Sequence, residues 1–326
     1  MLEPIRRATS HNSQALKMLC KAHAALCAAL LLAACQSTHS ALPTAVQPQP
    51  NHAARAVNST NNAIFLDHGF MVNPLSDAGI ARVVRWLAQR RFVYQLHNVT
   101  TLNSDGGMNP TNYSQLARWI RVSRATDPAQ KIVIYLSGSL ALVNNPATWD
   151  HIAAVCKRFF TQYGVDGINL DFEPYRRPAA NYLGLFGAIR KAVGPQANLS
   201  LDYTIDQRYT WSAADYRRIS ALFNVIMPMD YDTGCKTSAC YKTVLDRALT
   251  FQSAHIAPSA ALFPLVPTYA RSSVHDPAVE NICTAAAEIR KLAASSRITI
   301  GGLGIWWYFG WNHAAQTRWR HCWLSP

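Results

Sequence analysis

Three polar side chains at alternating positions, Asn169, Asp171 and Glu173, are the residues of this chain best suited to chemistry. They interleave with Ile168, Leu170 and Phe172, a period of two that describes a strand with one polar and one apolar face. A carboxylate pair on one strand face is equipment for general acid–base chemistry. Pro174 ends the strand, because it cannot donate to a ladder, and leaves Glu173 at its mouth. Such a strand fits a parallel barrel that carries its chemistry at the C-terminal ends of the strands.

The rest of the chain supplies the elements such a barrel requires. Ala63–Leu66 reads as a strand, followed by a helix over Ala78–Gln89 with Ile80, Val83, Val84 and Leu87 on one face. Phe92–Leu96 precedes the helix Tyr113–Val122, and Lys131–Leu136 precedes the helix Ala147–Tyr163, opened by Pro146. Gly167–Phe172 precedes Tyr182–Val193, Leu199–Thr204 precedes Ala213–Leu222, and Phe223–Met229 precedes Thr243–Ser253. Ala260–Val266 precedes Val279–Ala294, and Ile298–Trp306 precedes a short helix over Ala314–Arg320. Strict alternation with long crossovers predicts a parallel sheet and an α/β fold, a single (βα)8 TIM barrel over residues 63–326. A doubly wound open sheet would show a Gly-rich phosphate loop after an early strand, and none occurs. No cofactor is expected.

The N-terminus reads as an export segment. Arg6, Arg7, Lys17 and Lys21 precede an apolar run from Ala24 to Ala34 that is too short to span a bilayer. The run closes on Leu32-Ala33-Ala34-Cys35, which resembles the lipobox of bacterial lipoproteins; by that resemblance Cys35 is acylated and becomes the mature N-terminus. An ordinary cleaved signal is the alternative, and Met18 offers a second start that would give a more typical signal length. Both place the protein outside the cytoplasm, with residues 1–35 as signal and a flexible tether over residues 36–62, rich in Ser, Pro, Gln, Asn and Ala. The lipidated form predicts a membrane anchor in the cell envelope, at the outer membrane. Export also sets the cysteine pairing: Cys235 with Cys240, Cys283 with Cys322, and Cys156 as a buried free thiol. No cysteine or histidine spacing matches a zinc site, so no metal is expected. Residues 1–35 carry four Lys/Arg and one Glu, so the remainder keeps +10 of the formal +13. Such charge suits anionic envelope polymers, but the cations are spread over helices and an exported chain is not expected to bind nucleic acid.

Four motifs resemble glycoside hydrolase family 18, the chitinase-like and endo-β-N-acetylglucosaminidase-like barrels. Asp166-Gly167-Ile168-Asn169-Leu170-Asp171-Phe172-Glu173 is similar to that family's D-G-x-D-x-D-x-E signature, on the fourth strand in both. Met229-Asp230-Tyr231-Asp232, with Gly234 after it, resembles the sixth-strand M-x-Y-D, and Gly301-Gly302-Leu303-Gly304-Ile305-Trp306 the eighth-strand G-G-x-x-x-W. Ser137-Gly138-Ser139 is a weaker match to S-x-G-G after the third strand. The resemblance implies a substrate-assisted retaining glycosidase, in which the 2-acetamido group of the sugar attacks its own anomeric carbon. It implies Glu173 as general acid, Asp171 orienting the acetamido nitrogen, Tyr231 bonding the acetamido oxygen, and Trp306 as the apolar floor. Asp232, Met229 and Asn169 complete the implied substrate contacts. Asn169 departs from the family's first Asp, which predicts an altered pH profile and is shared with peptidoglycan-directed members.

The substrate expected is a β-linked N-acetylhexosamine glycan: peptidoglycan, a chitooligosaccharide or an N-glycan core. The segment from Val266 to Ile298 is too short for the α+β insertion that deepens the groove of processive chitinases, so a shallow cleft is expected. Two other readings stand beside this one: a sugar-binding barrel without catalysis, and a hydrolase using Glu173 and Asp232 as a two-carboxylate pair. Asp202 and Tyr203 are further candidates to line the cleft, His97 reads as structural, and Asp230 and Trp307 alternate outward, Trp307 towards the helices.

Overall fold

The computed structural model describes residues 57–204, 211–295 and 298–325. The expected signal segment, Cys35 with its lipobox-like motif and most of the expected tether lie outside these. Nine strands form one sheet: β1 (Asn62–Leu66), β2 (Phe92–Thr101), β3 (Lys131–Ser139), β4 (Gly167–Glu173), β5 (Leu199–Thr204), β6 (Val225–Met229), β7 (Ala261–Leu262), β8 (Leu265–Pro267) and β9 (Gly304–Trp306). Each neighbour pairs parallel, in the order β7-β6-β5-β4-β3-β2-β1-β9-β8. β7 and β8 are two pieces of one run, broken at Phe263-Pro264, where proline has no N–H for the ladder. One piece bonds to β6 and the other to β9, so the sheet closes on itself as an eight-stave barrel. The α/β barrel expected from the sequence is therefore present, with its seventh strand interrupted rather than continuous.

The eighth strand is shorter than expected, three residues instead of nine, because the chain before it runs against the start of β1. A Cβ on Gly302 would lie 1.7 Å from the Asn61 carbonyl oxygen, so only glycine fits that crossing. The Asn62 carboxamide ties the same corner together. Its oxygen accepts from the Trp323 indole (2.8 Å) and the Leu303 amide (3.3 Å). Trp119, Trp319 and Trp323 are fully buried, and Phe92 stacks on Trp319 at 4.7 Å.

The strands are buried on both faces, by the barrel interior on one side and the helices on the other. Ile132, Ile134, Ile168, Leu170 and Phe172 are fully buried under the helix layer. Several helices start at side-chain caps: Ser76, Ser212, Thr237 and Asn281 each accept a backbone N–H of their own first turn. Both expected disulfides are present, Cys235–Cys240 and Cys283–Cys322, and Cys156 is a buried free cysteine. Closing the 39-residue separation of Cys283–Cys322 removes unfolded-chain entropy equivalent to about 4 kcal/mol. It pins the C-terminal segment to the helix Ile282–Ala294, where Arg290 also donates to the Trp323 carbonyl at 2.7 Å.

Candidate active site

β4 divides its side chains as its sequence alternates. Ile168, Leu170 and Phe172 pack outward, Phe172 against Phe186. Asn169 and Asp171 are buried on the opposite face, inside the barrel, and Glu173 is exposed at its mouth. Gly138 on β3 permits this arrangement, since a Cβ there would meet the Phe172 ring at 2.3 Å. Parallel register sets Ser137 beside Asp171 and Ser139 beside Glu173.

Asp171 accepts a 2.6 Å hydrogen bond from the Tyr135 hydroxyl through Oδ2, while its Oδ1 is buried without a partner among the described residues. Below it, the Asn169 amide donates to Ser200 Oγ (3.0 Å) and Asp202 Oδ1 (2.9 Å) and approaches Met227 Sδ at 3.6 Å. The Asn169 oxygen and Asp202 Oδ2 are likewise buried and have no partner among the described residues. A column of polar groups thus rises through the barrel from Ser200 to Glu173.

Above the column lies an aromatic wall. Tyr231 and Trp306 lie parallel, 16° apart with ring centroids at 6.5 Å. Trp306 is half-buried and backed edge-on by Phe65 (4.8 Å) and Tyr135 (5.8 Å). Met229 closes β6 and is buried. Asp232, just beyond, is exposed and accepts from the Tyr269 hydroxyl.

The electrostatics follow from burial. Desolvation pushes the Asp171 carboxyl up to about 6, against the Tyr135 hydrogen bond, which favours the charged form. Glu173 is pushed up to about 7, first by loss of water around it and then by the charges of Asp171 and Asp232. Burial, and then the charge of Asp171, drive the Asp202 carboxyl well above its ordinary value. Tyr135 is driven far above the usual phenol range by burial, then by Asp171, and stays a neutral donor.

The site can therefore present a protonated Glu173 to a group at the mouth and an ionised Asp171 just beneath it, at the same pH. The Glycosyl hydrolases family 18 model matches residues 85–316. The chain belongs to glycosyl hydrolases family 18. No individually curated protein matches it by sequence. Among solved structures, the chitinase from Rhizomucor miehei aligns with a TM-score of 0.61 at 16% identity, over 81% of this chain and 98% of that one. A chitinase from Bacteroides thetaiotaomicron aligns at 0.58 and 14%, over 76% and 90%. The spore cortex-lytic enzyme of Bacillus cereus aligns at 0.56 and 12%, over 83% and 75%. These likenesses establish the family 18 barrel as the fold.

Two expectations about the cleft do not hold. Tyr203 does not line it: it is buried behind the barrel against Trp211 (5.1 Å) and Tyr216 (5.0 Å), because it alternates with the inward Asp202. Trp307 does not face the helices; it is 36% exposed beside Trp306, as the short β9 ends before it. Asp230 does point outward and is fully buried under Gln252. His97 is buried against Trp119, at 4.8 Å, and burial pushes it down to about 3, which keeps it neutral. Sequence reasoning missed Tyr135, although period two on β3 sets it with Ser137 and Ser139 on the inner face. It also missed Tyr269, Glu280 and His275, whose loop carries no periodic signal.

Raised carboxyl values have a consequence for stability. Asp171 and Glu173 rise to about 6 and about 7, and burial lifts Asp230 to about 7. The folded chain then binds more protons than the unfolded chain between about pH 4 and 7. Their contribution is complete below the unfolded values near 4 and is lost as pH rises through 6 and 7. Melting by circular dichroism is expected at a higher temperature at pH 5 than at pH 8; the reverse order would contradict the buried acids.

Proposed function

We propose that this protein is an exported glycoside hydrolase that cleaves β-linked N-acetylhexosamine glycans with retention, using the substrate's own acetamido group as nucleophile. The observation that carries this is Glu173 at the barrel mouth, pushed up to about 7, two residues above a buried Asp171 held by Tyr135. Glu173 protonates the leaving oxygen and afterwards activates water. Asp171 faces the acetamido nitrogen and stabilises the positive charge that develops there. Tyr231 bonds the acetamido oxygen, Trp306 carries the sugar ring, and Asp232 with Met229 holds its flank. Asn169 fixes the base of the column through Asp202.

Relatives support the substrate class. A chitinase of Cycas revoluta has been solved with allosamidin and, as a mutant, with (GlcNAc)4. The Bacillus cereus relative is a spore cortex-lytic enzyme, and the signal-like N-terminus with Cys35 favours an envelope glycan such as peptidoglycan reached from a lipid anchor.

The test is hydrolysis of four substrates by residues 36–326: chitooligosaccharides, purified peptidoglycan, a high-mannose N-glycan and a glucan without acetamido groups. Cleavage confined to the acetamido substrates is expected. Cleavage of the glucan would sink the acetamido-assisted mechanism, and binding without cleavage would make the protein a sugar-recognition barrel.

A further inference from the structure

Asp232 has a backbone conformation that its own sequence does not favour. Its φ is +59°, in the left-handed region, which a residue other than glycine keeps when its surroundings hold it there. What holds it is a carboxylate 48 residues further along the chain. Glu280 is completely buried, and both its oxygens point at the turn after β6. Oε2 accepts from the Asp232 amide at 2.8 Å, and Oε1 accepts from the Thr233 amide at 2.9 Å and from the Thr233 hydroxyl.

His275 completes the arrangement. Its Nδ1 lies 3.0 Å from Glu280 Oε2, and its ring packs on Tyr269 at 4.4 Å. Tyr269 in turn donates to the Asp232 carboxylate, so backbone and side chain of Asp232 are held from the same loop. The Gly234 amide adds a 2.8 Å bond to the Val274 carbonyl. Asp232, His275 and Glu280 do offer ligand atoms within 4.8 Å of one another. A cation is a poor occupant, however, since three N–H and O–H donors of the turn already converge on Glu280.

We propose that Glu280, steadied by His275, is a positioning residue of the active site: its carboxylate fixes the turn that aims Asp232 at the sugar beside Glu173. This rests on the reading of Asp232 as a substrate contact in the proposed hydrolase. Burial opposes a charge on Glu280, but the bonds from His275, Thr233 and the two amides outweigh it and hold the carboxyl below its usual range. These bonds favour the carboxylate form of the clamp.

The signature lies in Glu173. The titratable groups around it are Asp171 on its own strand, Asp202 on β5, Asp232 beyond β6, and the phenols of Tyr135, Tyr175, Tyr182 and Tyr231. Of these, Asp171 and Asp232 raise its proton affinity. Releasing the clamp swings the Asp232 charge away, so Glu173 loses its proton at lower pH.

The experiment is the pH profile of kcat/KM on chitotetraose for the wild type, Glu280→Gln, Thr233→Val, Asp232→Asn and the pair Asp232→Asn with Glu280→Gln. Glu280→Gln is expected to lower kcat/KM about 10- to 100-fold and to move the alkaline limb to lower pH. Thr233→Val, which removes a single donor, should move it the same way by less. The double variant should match Asp232→Asn alone, because the clamp acts only through that residue. Wild-type alkaline limbs in both Glu280→Gln and Thr233→Val would overturn the proposal. Amide hydrogen exchange at Asp232 and Thr233 reads the clamp without activity. Faster exchange in Glu280→Gln, at unchanged protection of the β4 amides, supports the clamp even if the wild type cleaves nothing, which would count only against the hydrolase reading. Unchanged exchange at both amides overturns it.

Discussion

Glu173→Gln is expected to lower kcat on an acetamido glycan by about 10²- to 10⁴-fold while leaving substrate binding and the fold intact. Glutamine keeps the size and one hydrogen-bond donor of the protonated acid but has no proton to give the leaving oxygen. Stability at pH 5, where Glu173 is protonated, should change little, since its side chain is exposed at the barrel mouth. The deciding measurement pairs steady-state kinetics with calorimetric titration of the same oligosaccharide. Lost turnover with retained binding assigns the proton to Glu173. Turnover within a few-fold of wild type would move the acid elsewhere, and lost binding would make Glu173 a contact rather than a catalyst.

The second large effect is on pH dependence. The proposed mechanism requires Asp171 ionised and Glu173 protonated, and burial raises them to about 6 and about 7 respectively. The profile of kcat/KM should therefore be a bell centred between those values, falling about tenfold per pH unit on either side. Because the two carboxyls interact, the two limbs report the pair rather than either residue alone. Asn169→Asp should narrow the bell. The asparagine amide now donates to Asp202 at 2.9 Å, and a carboxyl in its place would face another acid inside the barrel. A third acid beneath Asp171 raises the proton affinity of the group, so the ascending limb moves to higher pH. An unchanged profile would show that position 169 does not communicate with Asp171.

Asp202 explains how the column tolerates the asparagine. The strand that lacks a carboxyl at 169 has one supplied by β5, two residues beyond Ser200, the register partner of Asn169, and reached across a single hydrogen bond. Nothing in the local sequence around Asp202 announces this, because strand register between β4 and β5 decides which side chains meet. The same holds for Tyr135, whose hydroxyl crosses from β3 to Asp171.

What the sequence determined by itself is whatever depends on short spacings. Period two on β4 sorted Asn169, Asp171 and Glu173 from Ile168, Leu170 and Phe172, and the structure keeps that sorting. Alternating strands and helices implied a parallel barrel, since parallel crossovers need a helix-length return. Cysteine spacing, read with the export expected from the N-terminal segment, implied the two disulfides that are present. Tertiary structure alone decided what depends on distance along the chain. The Glu280 clamp reaches back 48 residues to Asp232, the seventh strand splits to close the barrel, and Trp307 takes a face that short-range alternation did not predict. Local patterns report which face of an element is apolar; which partner that face meets is set by how all the elements pack.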